Sequence, residues 1–175
     1  LGLNGHPKVV AAAKEAIDLY GTSVSASRLT AGERQFHRDL ETALAGLHGV
    51  DDAVTFVSGH ATNVSVIGGL LNAEDLIVTD TLIHNSVVEG AKLSGAKRIQ
   101  CAHGDLEAVE RALRLNRMRC RRTLIVVEGL YSMDGDVPDL SALIKLKRRY
   151  DACLMVDEAH SIGVLGARGR GLAEE

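Results

Sequence analysis

The stretch Cys153-Leu154-Met155-Val156-Asp157-Glu158-Ala159-His160 runs from strand-like apolar residues into an acid, with a histidine three residues further on. In a parallel α/β sheet, ligands sit at the C-terminal strand ends, which places Asp157 and His160 for chemistry. A carboxylate there can hold a proton on a ring nitrogen, and an imidazole can reach a neighbouring oxygen. The same residues can also cap the next segment and fill a loop, and a D-x-x-H alone does not decide between the two. Polar residues recur at comparable junctions. Ser58-Gly59-His60-Ala61-Thr62-Asn63 follows an apolar run. Small residues opening a helix let backbone N–H groups approach an anion with the helix dipole behind them, although they are common at helix starts. In Asp80-Thr81-Leu82-Ile83-His84-Asn85-Ser86, His84 can lie flat on a planar cofactor or bond to loop backbone. In Glu128-Gly129-Leu130-Tyr131-Ser132-Met133-Asp134-Gly135-Asp136, the serine and acids can bind a ligand or form turns.

The elements that must position these residues alternate. Strands are expected at 53–57, 76–79, 98–102, 123–127 and 152–156, and helices at 60–72, 85–93, 106–115 and 140–148, the last opened by Pro138 and Asp139. This βα alternation implies an α/β fold, a mainly parallel sheet with helices on both faces. Residues 1–48 read as an N-terminal helical arm and substrate-entrance segment, with amphipathic runs from His6-Pro7 to Tyr20 and from Gly32 to Leu47. A loop-like Gly21–Arg28 lies between them. The domain proper spans 49–175.

Composition removes several classes of function. The net charge of −3 gives no basic field for nucleic acid or anionic lipid, and 3% aromatic residues without Trp argue against base-stacking surfaces. The arginine-rich stretch Arg111–Arg122 reads as a solvated helix face and loop. No apolar run approaches the roughly 20 residues that span a bilayer, and no signal peptide is visible. Cys101, Cys120 and Cys153 lack metal-ligand spacing, so reduced thiols in a cytoplasmic protein and no metal site are expected. The first βα turn lacks the G-x-G-x-x-G of dinucleotide binding. A phosphate cup, a ring-stacking group, an acid for a ring nitrogen and a partner for a phenolic oxygen together describe the needs of pyridoxal 5'-phosphate.

In combination, Ser27-Arg28 with Gly32, Ser58-Gly59, Asp80 with His84, Glu128-Gly129 with Ser132-Met133-Asp134-Gly135, and Val156-Asp157-Glu158-Ala159-His160 resemble the α-oxoamine synthases. That family comprises 8-amino-7-oxononanoate synthase, 2-amino-3-ketobutyrate CoA ligase, 5-aminolevulinate synthase and serine palmitoyltransferase. The resemblance covers essentially the whole chain and implies the large domain of a fold-type I pyridoxal phosphate transferase. It implies an acyltransferase that condenses an amino acid with an acyl-CoA or acyl-carrier-protein thioester, usually with decarboxylation, and works as a homodimer. Ser58, Gly59 and His60 would then serve the cofactor phosphate, and His84 would stack on the ring and help position the amino acid carboxylate. Ser132 and His160 would lie beside the phenolic oxygen, Asp157 would pair with the pyridine nitrogen, and Arg28 would line the substrate entrance. The catalytic set is His84, Asp157 and His160.

The departures from the family pattern are informative. His60 and Asn85 stand where relatives often carry other residues, and Leu29 replaces the Asn that aminolevulinate synthases use for succinyl recognition. The family's Schiff-base lysine lies beyond the equivalent of Glu175, and none of Lys8, Lys14, Lys92, Lys97, Lys145 or Lys147 has its Ser/Thr-rich context. Because the chain also begins with Leu1, a fragment lacking that lysine region and the small C-terminal domain is expected, inactive by itself. Three other readings remain. One is a lysine-lacking partner subunit, and another is an aminotransferase or lyase of the same fold. The third is a helicase-type ATPase suggested by Asp-Glu-Ala-His, which wants an upstream G-x-x-x-x-G-K-[ST] that is missing.

Overall fold

The computed structural model describes residues 1–174 and divides into two compact units, Leu1–Thr55 and a second that begins at Phe56. In the first unit, Pro7 starts helix α1 (Pro7–Tyr20), and the His6 ring accepts the Lys8 N–H at 3.3 Å as its cap. None of the α1 residues is buried, and Val9, Val10, Ile17, Leu19 and Tyr20 are exposed. Helix α2 (Gln35–His48) starts later than the apolar periodicity suggests. The intervening Arg28–Gly32 forms one wide turn, in which the Ser27 carbonyl accepts the Gly32 N–H at 2.8 Å.

The strand expected at 53–57 is not formed. The Thr55 N–H donates to Glu41 Oε1 at 2.8 Å instead of to a neighbouring strand, and no strand among the described residues pairs with this segment. A short apolar run carries strand propensity, but a ladder needs a partner, and here a buried carboxylate takes the donor.

The second unit follows the expected alternation closely: α3 (Gly59–Leu70), β1 (Leu76–Asp80), α4 (Asn85–Ser94), β2 (Lys97–Cys101), α5 (Leu106–Asn116), β3 (Thr123–Glu128), α6 (Leu140–Arg149) and β4 (Cys153–Asp157). The four strands are parallel in the order β2-β1-β3-β4. Helices cover both faces. Leu76, Val78, Ile125 and Val127 pack with Val109 and Leu113 of α5 and with Leu143 and Leu146 of α6. Ile77 and Val126 pack with Ile67 of α3 and with Val87 and Ala91 of α4.

This layering fixes where the polar strand ends point. Side chains alternate along a strand, so Glu128 follows Val126, and Asp157 follows Met155, onto the α3–α4 side, whereas Asp80 follows Val78 onto the α5–α6 side. The chain leaves β1 toward β2 and later returns past it to β3, which makes the β1–β3 boundary a topological switch point, where a crevice opens at the strand ends. Gly90 brings α3 and α4 together. A Cβ there would lie 2.9 Å from the Asn63 carbonyl and 2.9 Å from Ile67 Cβ, so a side chain would push α3 outward.

The opposite ends of the strands are tied by charge. Buried Asp75 accepts from Arg121 Nη2 at 2.8 Å and Nε at 3.1 Å, from the Arg122 N–H at 3.0 Å and from the Asn72 N–H at 2.8 Å. Arg117 similarly bonds the Tyr150 carbonyl at 2.8 Å and Asp151 at 2.8 Å. Part of the arginine-rich stretch is therefore structural, while Arg111 and Arg114 remain exposed. The Arg121 guanidinium beside Asp75 holds its carboxyl below the usual carboxylate range. Because the folded pKa is depressed, the stabilisation is complete above the unfolded carboxyl range and is lost as pH falls through the folded value. Removing the acid leaves Arg121 free to hydrate, so the loss is mainly that of the charge-assisted hydrogen bonds. Asp75→Ala is expected to destabilise the intact protein by about 2 kcal/mol at neutral pH and by less in acid, as read from urea unfolding.

No helix among the described residues is long and apolar enough to cross a membrane. Cys101, Cys120 and Cys153 are unpaired thiols.

Candidate active site

At the C-terminal ends of β1, β3 and β4, a cavity of about 150 Å³ is lined by Gly59, His60, Asn63, His84, Ser86, Glu128, Asp157, Ala159 and His160. Five residues singled out in the sequence thus meet: Gly59, and the imidazole- or carboxylate-bearing His60, His84, Asp157 and His160. Ser58 stands at the rim. As the N-cap of α3, its Oγ accepts the Ala61 N–H at 3.1 Å, and the chain then turns into Gly59 and His60. A Cβ built on Gly59 would meet nothing within 4 Å, so this helix start faces open space.

Asp157 is held on both oxygens. Oδ2 accepts from Asn63 Nδ2 at 2.8 Å, and Oδ1 accepts the Ala159 N–H at 3.1 Å. The same Asn63 Nδ2 donates to Ser86 Oγ at 2.9 Å, and that hydroxyl lies 2.7 Å from His84 Nδ1. Asn63 and Ser86 are buried between α3 and α4, so one hydrogen-bonded line runs from Asp157 to His84. His84 is also the N-cap of α4, its Nδ1 accepting the Ser86 N–H at 3.2 Å. These partners assign Nδ1 as the acceptor and leave the ring proton on Nε2. The His60 ring stands edge-on to His84, with centroids 6.3 Å apart at 85°. His160 is exposed in the turn after β4, with no hydrogen bond to its ring among the described residues.

Glu128 pairs with Asp157 across the β3–β4 ladder and is buried. Its Oε1 accepts the His84 N–H at 2.7 Å. Burial raises the Glu128 pKa, and the neighbouring charge of Asp157 adds to the rise, while the backbone donors of His84 and Ser132 oppose it. The glutamate therefore fixes the backbone under His84 within a carboxylate pair.

Sequence reasoning did not single out Asn63, Ser86 or Glu128 as site residues. The available signal was Asn63 four residues after Gly59, a position that shares a helix face with it. Ser132 lies exposed in the turn after β3 and does not line the cavity. Arg28 belongs to the first unit. Its guanidinium is bound to Glu33 at 2.6 Å, to Glu41 at 2.5 Å and to Thr55 Oγ1 at 3.0 Å, and the Glu41 and Glu33 carboxylates raise its pKa. Among the described residues, no lysine lines the cavity.

The family model for aminotransferase class I and II matches residues 1–175. The chain belongs to that family. As a member, it is 46% identical over 175 residues to the 8-amino-7-oxononanoate synthase of Geobacter sulfurreducens, covering 100% of this chain and 44% of that protein. It is 41% identical over 171 residues to the 8-amino-7-oxononanoate synthase of Bacillus pumilus, covering 98% of this chain and 43% of that one. Among solved structures, the serine palmitoyltransferase of Sphingomonas wittichii superposes with a TM-score of 0.94 at 34% identity, covering 99% of this chain and 43% of that chain. That of S. paucimobilis, with a bound PLP-myriocin aldimine, gives a TM-score of 0.93 at 32% identity, covering 99% and 43%. The chain thus spans under half the length of the curated relatives it matches. The expected fold-type I architecture, a parallel sheet with helices on both faces, is borne out.

Proposed function

We propose that this chain forms the cofactor-binding part of a pyridoxal phosphate-dependent acyltransferase of the α-oxoamine synthase kind. The intact protein joins an amino acid to an acyl thioester on coenzyme A or a carrier protein, usually with loss of carbon dioxide. The observation that carries this reading is Asp157, held by Asn63 and the Ala159 N–H in a cavity whose rim is the start of α3. The residues suit the cofactor. An open helix start with Gly59 accommodates a phosphate, and an acid fixed on both oxygens suits a pyridine nitrogen. When bound, pyridoxal phosphate supplies an electron sink for the negative charge left when an amino acid loses its α-proton.

Each residue then has its task. Backbone N–H groups at Ser58, Gly59 and His60 bind the phosphate. Asp157 holds a proton on the ring nitrogen, and Asn63 keeps the carboxylate aimed. His84 forms a wall for the ring and offers its Nε2 proton to an incoming carboxylate. His160 and Ser132 serve the phenolic oxygen, and Arg28 belongs to the substrate entrance. A covalent lysine anchor would have to come from elsewhere in the intact protein, since no lysine among the described residues lines the cavity. The exposed apolar residues of α1 support a homodimer in which a second copy covers them, and the three free thiols support a cytoplasmic setting.

The test supplies the intact protein with pyridoxal phosphate, a panel of amino acids and acyl-CoA thioesters, and follows thiol release. Release that requires both the amino acid and the cofactor is expected. Amino-group transfer to a keto acid without thiol release would instead assign an aminotransferase, and the absence of both reactions would favour a non-catalytic partner subunit.

A further inference from the structure

On the α5–α6 side of the sheet, away from the cavity lining, His103 follows β2 with both ring nitrogens engaged. Nδ1 lies 3.0 Å from each oxygen of Asp80, and Nε2 lies 2.7 Å from Asp136 Oδ2. The Gly104 N–H adds a bond to Asp80 Oδ2 at 3.1 Å. The ring stands edge-on to buried Tyr131, with centroids 4.6 Å apart at 81°. An imidazole donates from both nitrogens only as the imidazolium. The Asp136 carboxylate raises the His103 ring above the usual imidazole range, with Asp80 adding to the rise and burial opposing it. Asp134 also comes near, so that His103, Asp134 and Asp136 bring potential ligand atoms within 4.8 Å of one another. Both ring nitrogens already have carboxylate partners, so this cluster is a clamp and not a cation site.

The partners of His103 hold the two loops that border the cavity. Asp80 Oδ1 accepts the Leu82 N–H at 2.8 Å and so shapes the loop leading to His84. Asp136 closes the turn after β3. Its carbonyl accepts the Tyr131 N–H at 2.9 Å, and the Gly135 N–H donates to the Tyr131 carbonyl at 2.8 Å. That turn carries Ser132, whose backbone donor acts on the Glu128 carboxylate, and Glu128 in turn takes the His84 N–H.

We propose that His103 is a positioning residue for the cavity: by bridging Asp80 and Asp136 it locks together the loops that carry His84 and Ser132. Its effect on cofactor binding rests on the reading of the cavity as a pyridoxal phosphate site, whereas the loop clamp itself does not. His103→Phe keeps a ring against Tyr131 and removes both donors. Asp136→Asn, at a half-exposed side chain, weakens one arm with little risk to folding and serves where His103→Phe does not fold.

The readouts are peptide-resolved amide exchange of the cofactor-free intact protein and the dissociation constant for pyridoxal phosphate. Both variants are expected to speed exchange about tenfold in Thr81–His84 and Tyr131–Asp136, which is about 1.4 kcal/mol of local stability, while leaving β1 and β3 unchanged. Cofactor affinity is expected to fall about tenfold with them. Unchanged exchange in both loops, or a uniform rise that includes the strands, would overturn the clamp. Wild-type protein that binds no pyridoxal phosphate would refute the reading of the cavity instead, and the exchange pattern would still decide the role of His103.

Discussion

Asp157→Ala in the intact protein is expected to lower kcat by about a thousandfold or more, with the fold retained. The size follows from the role proposed for the carboxylate. A pyridine nitrogen without a facing anion loses its proton, and a neutral ring is a poor electron sink. Folding should survive because Asn63 keeps its bond to Ser86 Oγ, and the Asn63 and Ala159 N–H groups freed from Asp157 lie at the cavity, where water can take them. Steady-state kinetics beside circular dichroism make the check. Turnover within tenfold of wild type would remove the pyridinium assignment, and loss of the fold would give Asp157 a structural role instead.

His84→Ala is expected to weaken pyridoxal phosphate binding about tenfold and to raise the amino acid KM in parallel. Two losses combine. The ring that forms one wall of the cavity disappears, and α4 loses a cap worth about 1 kcal/mol. The cap loss acts on stability and the wall loss on binding, so the two are separable by measuring unfolding and cofactor titration on the same variant. Ser86→Ala provides the contrast, since it leaves the imidazole in place and removes only the hydroxyl beside Nδ1. It is expected to cost less in binding than His84→Ala. Cofactor affinity and KM both unchanged in His84→Ala would contradict the stacking role.

The second unit was legible because β1, β3 and β4 are largely apolar runs, β1 and β3 of them buried, and its helices open with recognisable caps. Asp139 illustrates this: its side chain accepts the Ala142 N–H at 2.8 Å where Pro138-Asp139 marked a helix start. Alternation along β3 and β4 then carries Glu128 and Asp157 to the same side of the sheet, a relation the strand assignments already contain. The failure at 53–57 has the opposite cause. Local propensity cannot reveal that Glu41, many residues earlier, takes the Thr55 donor. Asn63 and Ser86 were missed for a related reason. Each is an ordinary polar residue near a helix start, and only the close α3–α4 contact through Gly90 makes them a buried link between Asp157 and His84. His103 escaped notice because its partners lie in two other loops, far apart in sequence.

In the proposed function, the cavity at the ends of β1, β3 and β4 seats pyridoxal phosphate with Asp157 facing the ring nitrogen. A crystal structure of the intact protein with the cofactor tests it most directly. The pyridine nitrogen is expected about 2.8 Å from an Asp157 oxygen, and the phosphate at the start of α3, within hydrogen-bond distance of its backbone N–H groups. A cofactor bound elsewhere, or bound here with its ring nitrogen away from Asp157, would contradict it.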